Sequence, residues 1–465
     1  VRAEDLARLS PYWRDALAGA PRLSVWPPVL TPYHSQLVAG LVHLEASQWL
    51  PPDQLRRGQL AQAGSLVRHA AQHSPWFGRA LAEAGVDPAL PLTEAAWRRI
   101  PILHRRDVQR AGASLQCKKL PPHHGEVSWT QTSGSTGEPV RVSATAVTRL
   151  FQALFALRDH AWWERDLGGR LAAIRYTGGK APGPRGATAP TWGGADEGLV
   201  KTGRFAVLDI DTDVPVQARW LAEFDPEYLL TYPTNLAALL DHGLSLPSLE
   251  GVRTVGEIVS PELRHRCKER WGVPIADIYT TQELGYVAIQ CPRSEHLHVQ
   301  SENVLVEVLD DTGAPCPPGV VGRLVITALQ NFSTPLVRYD TGDLGALGPP
   351  CDCGRGLPVL LEVVGRTRQM VTLPSGETRW PLVGYALFRD VAPAVRQYQI
   401  IQESLTDLTA RFAVDAPLTP AEEARLAEVI RGALRHPFAI RFEYLPSIPR
   451  EKGGKYFEFL SRVIK

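Results

Sequence analysis

The sequence predicts an α/β protein: a large N-terminal domain of sheets covered by helices and carrying a β subdomain, then a small mobile C-terminal α+β domain. Three observations predict it. From Arg204 to Tyr279 short apolar runs alternate with helical patterns, the rhythm of a mainly parallel sheet. From about 299 to 347 strand-like runs follow one another without helices, which suggests antiparallel pairing. After Gly365-Arg366 the texture is mixed again, over a length sufficient for a small second domain. The expected boundary lies near Val364-Gly365, giving domains 1–364 and 365–465, with the β subdomain at about 291–364.

Bulk properties narrow the function. The chain has 465 residues, 44% hydrophobic and 21% charged, so a large core is available. A net charge of +1 gives no reason to expect nucleic acid or an acidic membrane as partner. No apolar run reaches a membrane span, and Val1-Arg2-Ala3-Glu4-Asp5 does not read as a secretory signal. Six cysteines in this length do not make a disulfide framework. A cytoplasmic location is the expectation.

Residues 1–50 show no strong period. Leu55, Leu60, Ala63, Leu66, Val67 and Ala70 recur at helical spacing, predicting a helix over 54–85 that Pro75 interrupts. Val127-Ser128-Trp129 and Val140-Arg141-Val142 predict a hairpin, and Thr145 to Trp163 a helix. Gly178 to Gly194, rich in Gly, Pro and Ala, reads as a loop. Strands are then expected at 204–208, 228–232, 252–255 and 275–279, with helices at 216–224, 233–242 and 261–271 between them. Further strands are expected at 304–308, 323–327 and 335–339, then 396–402 and 408–414, with a last helix at 422–434.

The hairpin encloses Thr130-Gln131-Thr132-Ser133-Gly134-Ser135-Thr136-Gly137-Glu138-Pro139. Its glycines allow close backbone approach, and its hydroxyls and amides can surround phosphate oxygens. It is not a Walker loop, since no Lys-Ser or Lys-Thr follows the second glycine. Read alone, it is also compatible with a plain surface loop. Cys291, Cys351 and Cys353, with His298 or His296, supply the ligand types of a tetrahedral zinc shell. Three free thiols are the competing reading.

Taken together, Thr132 to Pro139, Gly256-Glu257, Tyr279 to Glu283, Arg338-Tyr-Asp-Thr-Gly-Asp343, Gly365-Arg366 and Pro449 to Lys455 stand in one order. The chain thereby resembles the adenylate-forming superfamily of acyl-coenzyme A synthetases, adenylation domains and luciferases, from about residue 55 to the end. Pro101-Ile102-Leu103, Tyr232-Pro233-Thr234-Asn235 and Cys351-Asp352-Cys353-Gly354-Arg355 resemble the phenylacetate–coenzyme A ligase branch. That resemblance implies ATP-dependent activation of a carboxylic acid, aromatic or otherwise small, to an acyl-adenylate, with coenzyme A as acceptor. A carrier-protein thiol or an amine is the alternative acceptor, and an inactive binding homologue a further alternative. A homodimer stays open.

The resemblance also implies roles. Thr132, Ser133, Gly134, Ser135, Thr136 and Gly137 would hold the β- and γ-phosphates, and Glu283 would hold Mg²⁺. Asp343, an acceptor-only carboxylate, would take the ribose hydroxyls. Tyr279, Asp277 and Gly256-Glu257-Ile258 would flank the nucleotide, with Thr280, Thr281 and Gln282 near the α-phosphate. Gln282 and Thr280 depart from the family's hydroxyl and glycine at those places. Arg366 would add positive charge near ribose and phosphate. The hinge position is Arg368 instead of the usual Asp or Lys. Lys455, with Lys452 as rival, would be the catalytic lysine. Phe151, Tyr232, Pro233 and Gly256 would line the acid pocket, with Phe155 a further candidate. The branch's Leu-His-Val pattern selects His298 for a structural Zn²⁺ with Cys291, Cys351 and Cys353.

Overall fold

The computed structural model describes residues 10–18, 30–131, 140–193, 199–366, 370–379, 381, 385–450 and 456–463. They fall into two units: residues up to Thr341 with Gly345–Val363, and Gly342–Leu344 with the residues from Val364 on. No described helix is long and apolar enough to cross a membrane.

The first unit begins with helices Pro11–Ala18, Pro32–Ser47, Pro52–His73 and Pro75–Glu83. Pro75 splits the last two as expected, with Ser74 ending one and capping the next through the Phe77 N–H. Helix Pro32–Ser47 was not legible as a period. It packs on helix Ala146–Trp162, and Gly40 makes the close approach possible: a Cβ there would lie 2.5 Å from the Leu154 side chain. The expected hairpin is present as β1 (Ser128–Gln131) and β2 (Arg141–Ala144), a two-stranded sheet of its own.

The strands that follow, up to Arg366, are β3 (Leu171–Arg175), β4 (Ala187–Ala189), β5 (Phe205–Asp209), β6 (Tyr228–Thr231), β7 (Gly251–Val255), β8 (Ile275–Thr281), β9 (Gly285–Gln290), β10 (Leu297–Val299), β11 (Val304–Leu309), β12 (Gly322–Ala328), β13 (Tyr339–Leu347) and β14 (Val359–Arg366). They form one sheet in the order β11-β12-β13-β14-β10-β9-β8-β7-β6-β3-β5-β4. Strands β5, β3, β6, β7 and β8 run parallel, and helices Val214–Phe224, Pro233–Asp241 and Pro261–Trp271 connect them as the β–α rhythm requires. At β8–β9 the pairing turns antiparallel, so the alternating strands after 299 extend the same sheet.

Three expectations need correction. The stretch Gly178 to Gly194 contains the short edge strand β4, paired antiparallel with β5. Strand β3, unexpected, lies between β5 and β6. Pro335 to Arg338 is not strand. Arg338 has φ 49, and its N–H donates to the Thr327 hydroxyl at 2.8 Å, so the chain turns there and β13 starts at Tyr339.

In the second unit, β15 (Val371–Thr372) pairs with β16 (Thr378–Arg379). A four-stranded sheet has the order β19-β18-β17-β20, from β17 (Val395–Gln402), β18 (Asp407–Val414), β19 (Ala439–Tyr444) and β20 (Phe459–Ser461). Helix Pro420–Leu434 opens on a Thr419–Glu422 capping box and buries Leu426, Ile430 and Leu434. Fully burying such a leucine or isoleucine is worth about 1.5–3 kcal/mol.

Candidate functional site

Because β6, β7 and β8 are adjacent and parallel, the residues just beyond their carboxyl ends share one edge of the sheet. Those residues are Tyr232-Pro233, Gly256-Glu257-Ile258 and Gln282, and Tyr279-Thr280-Thr281 are the last three residues of β8 itself. Ligands of open α/β sheets sit at such edges. Gly256 has φ 79, a conformation that suits glycine and turns the chain away from β7. A Glu257 carboxylate oxygen accepts the Thr234 N–H at 2.9 Å, at the positive end of helix Pro233–Asp241. That side chain is engaged locally, which leaves backbone and the exposed Ile258 facing outward. The buried Tyr232 hydroxyl accepts the Tyr176 N–H at 3.4 Å. Phe151 is half-buried beside Phe155, ring centres 6.0 Å apart, while Phe155 is fully buried in the core.

On β8 the register with β9 shifts between Tyr279 and Thr280, which re-aims the end of the strand. The Thr281 hydroxyl accepts the Leu284 N–H at 3.0 Å, and Gln282 is exposed. Glu283 faces Arg105, Oε1 to Nη1 3.3 Å, with the carboxylate side chain 8% exposed. Arg105 was not singled out from the sequence; the adjacent basic run His104-Arg105-Arg106 was the available signal. It stands at the start of helix Arg105–Ala111. The preceding residue pair is pinned: Leu103 N–H donates to Arg338 O at 2.9 Å, and Asp340 N–H to Leu103 O at 3.0 Å. Arg338 of the Arg-Tyr-Asp motif is structural. It forks onto Glu307 through Nε and Nη2, each at 3.1 Å, and bonds the Arg98 and Ile100 carbonyls. Asp343 is buried on β13.

Asp277 sits inside β8. Its carboxylate accepts the Thr254 hydroxyl at 2.8 Å and its N–H donates to Gln290 Oε1 at 2.9 Å. Burial raises its pKa from 3.8 to about 6, against the Thr254 hydrogen bond. Between these values the folded state binds more protons than the unfolded chain, so this carboxyl makes stability fall as pH rises through the window. Asp277→Asn is therefore expected to gain urea resistance over the parent at pH 7, with the gain disappearing below about pH 4. An equal difference at both pH values in urea titrations would show that the carboxyl is not the cause.

Residues 132–139, Lys452, Lys455 and Arg368 lie outside the described residues, and of Arg366 only its place on β14 is described.

The four expected metal ligands do come together. One ligand atom each from Cys291, His298, Cys351 and Cys353 lies within 4.8 Å of the others, and His296 is not among them. Cys291 and Cys351 sulfurs are 3.9 Å apart, and Cys353 Sγ is 3.2 Å from His298 Nε2. A tetrahedral zinc with 2.3 Å Zn–S bonds needs ligand atoms about 3.8 Å apart, whereas a disulfide needs about 2 Å. His298 Nδ1 donates to the Leu357 carbonyl at 3.3 Å, which leaves the Nε2 lone pair toward Cys353. Burial lowers the His298 pKa to about 4, so the ring is neutral at pH 7, the state a metal ligand requires. Burial opposes ionisation of the Cys353 thiol, but the Arg355 N–H and guanidinium outweigh it and hold its pKa below the ordinary value. Arg355 in turn lies 4.3 Å over the Trp162 ring, whose edge meets His298, and donates to Gln48 Oε1 at 2.9 Å. The donor set, spacing and protonation fit zinc.

Residues 198–334 match the family described as AMP-binding enzyme, and residues 385–461 the family described as CapK C-terminal domain. The chain is 28% identical over 447 residues to the phenylacetate-coenzyme A ligase of Thermus thermophilus, covering 87% of this chain and 96% of that one. It is 25% identical over 350 residues to the phenylacetate-coenzyme A ligase of Aromatoleum evansii, covering 71% and 74%. Among solved structures it is similar to 2-hydroxyisobutyryl-CoA ligase in the postadenylation state in complex with 2-HIB-AMP. The TM-score is 0.70 at 19% identity, over 89% of this chain and 91% of that one, a likeness of fold.

Proposed function

We infer that the chain belongs to the adenylate-forming superfamily, on its phenylacetate–coenzyme A ligase-like branch, and that it uses ATP to activate a small organic acid, aromatic or otherwise. The products of the first step are an acyl-adenylate and pyrophosphate, and coenzyme A then takes the acyl group as a thioester. The observation that carries this reading is the shared edge of β6, β7 and β8, where Tyr232 and Gly256 to Ile258 follow adjacent strand ends, Tyr279 to Thr281 close β8, and Gln282 and Glu283 come directly after.

In this reading the 132–139 loop holds the β- and γ-phosphates, and the neighbouring strand ends hold adenine and α-phosphate. Asp343 takes the ribose hydroxyls, Arg366 adds positive charge, and Phe151, Tyr232, Pro233 and Gly256 line the acid pocket. The shielded Glu283 carboxylate is a fitting ligand for Mg²⁺, which prefers carboxylate and phosphate oxygens. When bound, that ion neutralises charge on the phosphate oxygens. Before it binds, Arg105 keeps the carboxylate paired. Lys455 places a cation at the α-phosphate. A structural zinc holds Cys291, His298, Cys351 and Cys353, outside the chemistry.

The test is ATP–pyrophosphate exchange across a panel of aromatic and aliphatic acids. Exchange that depends on one acid class is the expected result. No exchange with any acid, together with no ATP-dependent thermal shift, would place the chain among inactive homologues, which the Gln282 and Arg368 departures make a specific alternative. Coenzyme A, a carrier protein and hydroxylamine as acceptors then separate the transfer steps.

A further inference from the structure

The hairpin carrying residues 132–139 has little support of its own. It is a separate two-stranded sheet, and Ser128, Trp129 and Thr130 on β1 are exposed. Such a hairpin is marginally stable alone. Its position has to be set through β2, where Val142 and Ser143 are buried, as is Val140 just before the strand.

Ser143 is wholly enclosed, and each of its polar groups is bonded to the segment Asn331–Thr334. Its N–H donates to the Thr334 hydroxyl at 3.0 Å, and its carbonyl accepts the Asn331 amide at 2.8 Å. Its own hydroxyl lies 2.6 Å from that of Ser333 and 2.7 Å from that of Thr334. In an antiparallel pair, a residue's N–H and C=O point the same way, so those of Ser143 point away from β1. The side chains of Asn331 and Thr334 thus stand where a third strand would be. Asn331 is itself oriented, because its Oδ1 accepts the Ser333 and Thr334 N–H groups at 3.2 and 3.1 Å. Gln116 closes the set: its Oε1 accepts the Thr334 hydroxyl at 2.6 Å and lies 3.2 Å from that of Ser143. One proton per hydroxyl satisfies a directed chain, Ser333 to Ser143 to Thr334 to Gln116.

From this bonding we infer that Ser143, Thr334, Asn331 and Gln116 form a positioning unit for ATP. They fix the root of the hairpin, β2, and so act on ATP binding and not on the acid. The inference rests on reading residues 132–139 as the phosphate loop. It assigns a task to side chains that carry no motif signal. The same segment continues into Arg338, which is held by the Ile100 carbonyl and the Glu307 carboxylate.

Thr334→Val keeps the side-chain shape and removes the hydroxyl; Thr334→Ser keeps the hydroxyl. In acid-dependent pyrophosphate exchange, Thr334→Val is expected to raise the KM for ATP about tenfold, since displacing a positioned group by a fraction of an ångström has effects of this order. The KM for the acid stays within about twofold, the scale of a contact that is not lost. Thr334→Ser returns the ATP KM toward the parent value. The inference is overturned if Thr334→Ser is as impaired as Thr334→Val, if both KM values rise together, or if only thermal stability falls. Should the parent enzyme bind Mg-ATP yet show no acid-dependent exchange, the adenylation reading falls. Titrating Mg-ATP against both variants then decides the positioning claim separately, with weaker binding by Thr334→Val alone supporting it.

Discussion

Lys455→Ala is expected to lower acid-dependent pyrophosphate exchange about 100- to 1,000-fold, the usual loss when a cation aimed at developing charge is removed. The step drives a carboxylate oxygen onto the α-phosphate as pyrophosphate leaves, and negative charge accumulates on both. Two acidic residues sharpen the requirement: Glu138 falls within the stretch read as the phosphate loop, and Glu283 pairs with Arg105 at 3.3 Å. In the proposed reading a further positive charge, beside Mg²⁺ and Arg366, is supplied by the Pro449-Arg450-Glu451-Lys452-Gly453-Gly454-Lys455 segment. Binding of Mg-ATP, followed by calorimetry, should change little in the variant, because the lost interaction belongs to the transition state. If Lys452→Ala carries the loss and Lys455→Ala does not, the role moves three residues upstream. If neither variant loses exchange, the cation is elsewhere.

How far the sequence discloses such a site depends on where each signal is stored. Strands β5 to β8 and the helices between them are written in local periodicity and flanking turns, and they appear within a residue or two of expectation. Strand β3 is Leu171-Ala172-Ala173-Ile174-Arg175, nearly all buried, so it shows neither alternation nor a β-branched run. Helix Pro32–Ser47 buries Glu45 beside Leu41, Val42 and Leu44, and that charged residue interrupts the apolar stripe. Arg105 meets Glu283 across 178 residues, and nothing local to either announces the other. The Ser143 set joins residues 116, 143 and 331–334, ordinary polar residues whose meaning arises only when their bonds are followed. The expected zinc ligands are the opposite case. Thiol and imidazole types with a Cys-x-Cys spacing mark themselves.

Those ligands give the second large effect, on the fold instead of the chemistry. Protein purified without chelator is expected to carry about one zinc per chain, and Cys353→Ser to lose most of it. Cys291 and His298 sit at β9–β10, and Cys351 and Cys353 follow some sixty residues later, beyond β13. A metal there closes a long loop and joins the end of β9 to the approach to β14, on which β10 pairs. Structural zinc contributes on the order of 10 kcal/mol where the site forms only on folding. Here the surrounding strands form part of the site already, so a smaller share is at stake, about 4–5 kcal/mol, or roughly a 6 °C fall in melting temperature. Acid should release the metal, because His298 and the thiols must be deprotonated to bind it. In the metal-free chain the depressed His298 pKa also makes stability fall as pH drops from 6.5 toward about 4, since the unfolded chain then binds the extra proton. Metal analysis and thermal unfolding at pH 7.5 and 5.5 read both effects without any assay of activity. Less than about half an equivalent of zinc in the parent, well short of a filled four-ligand shell, would leave a cluster of reduced thiols as the better account. An unchanged melting temperature in Cys353→Ser would separate the metal from the stability of the sheet it is expected to fasten.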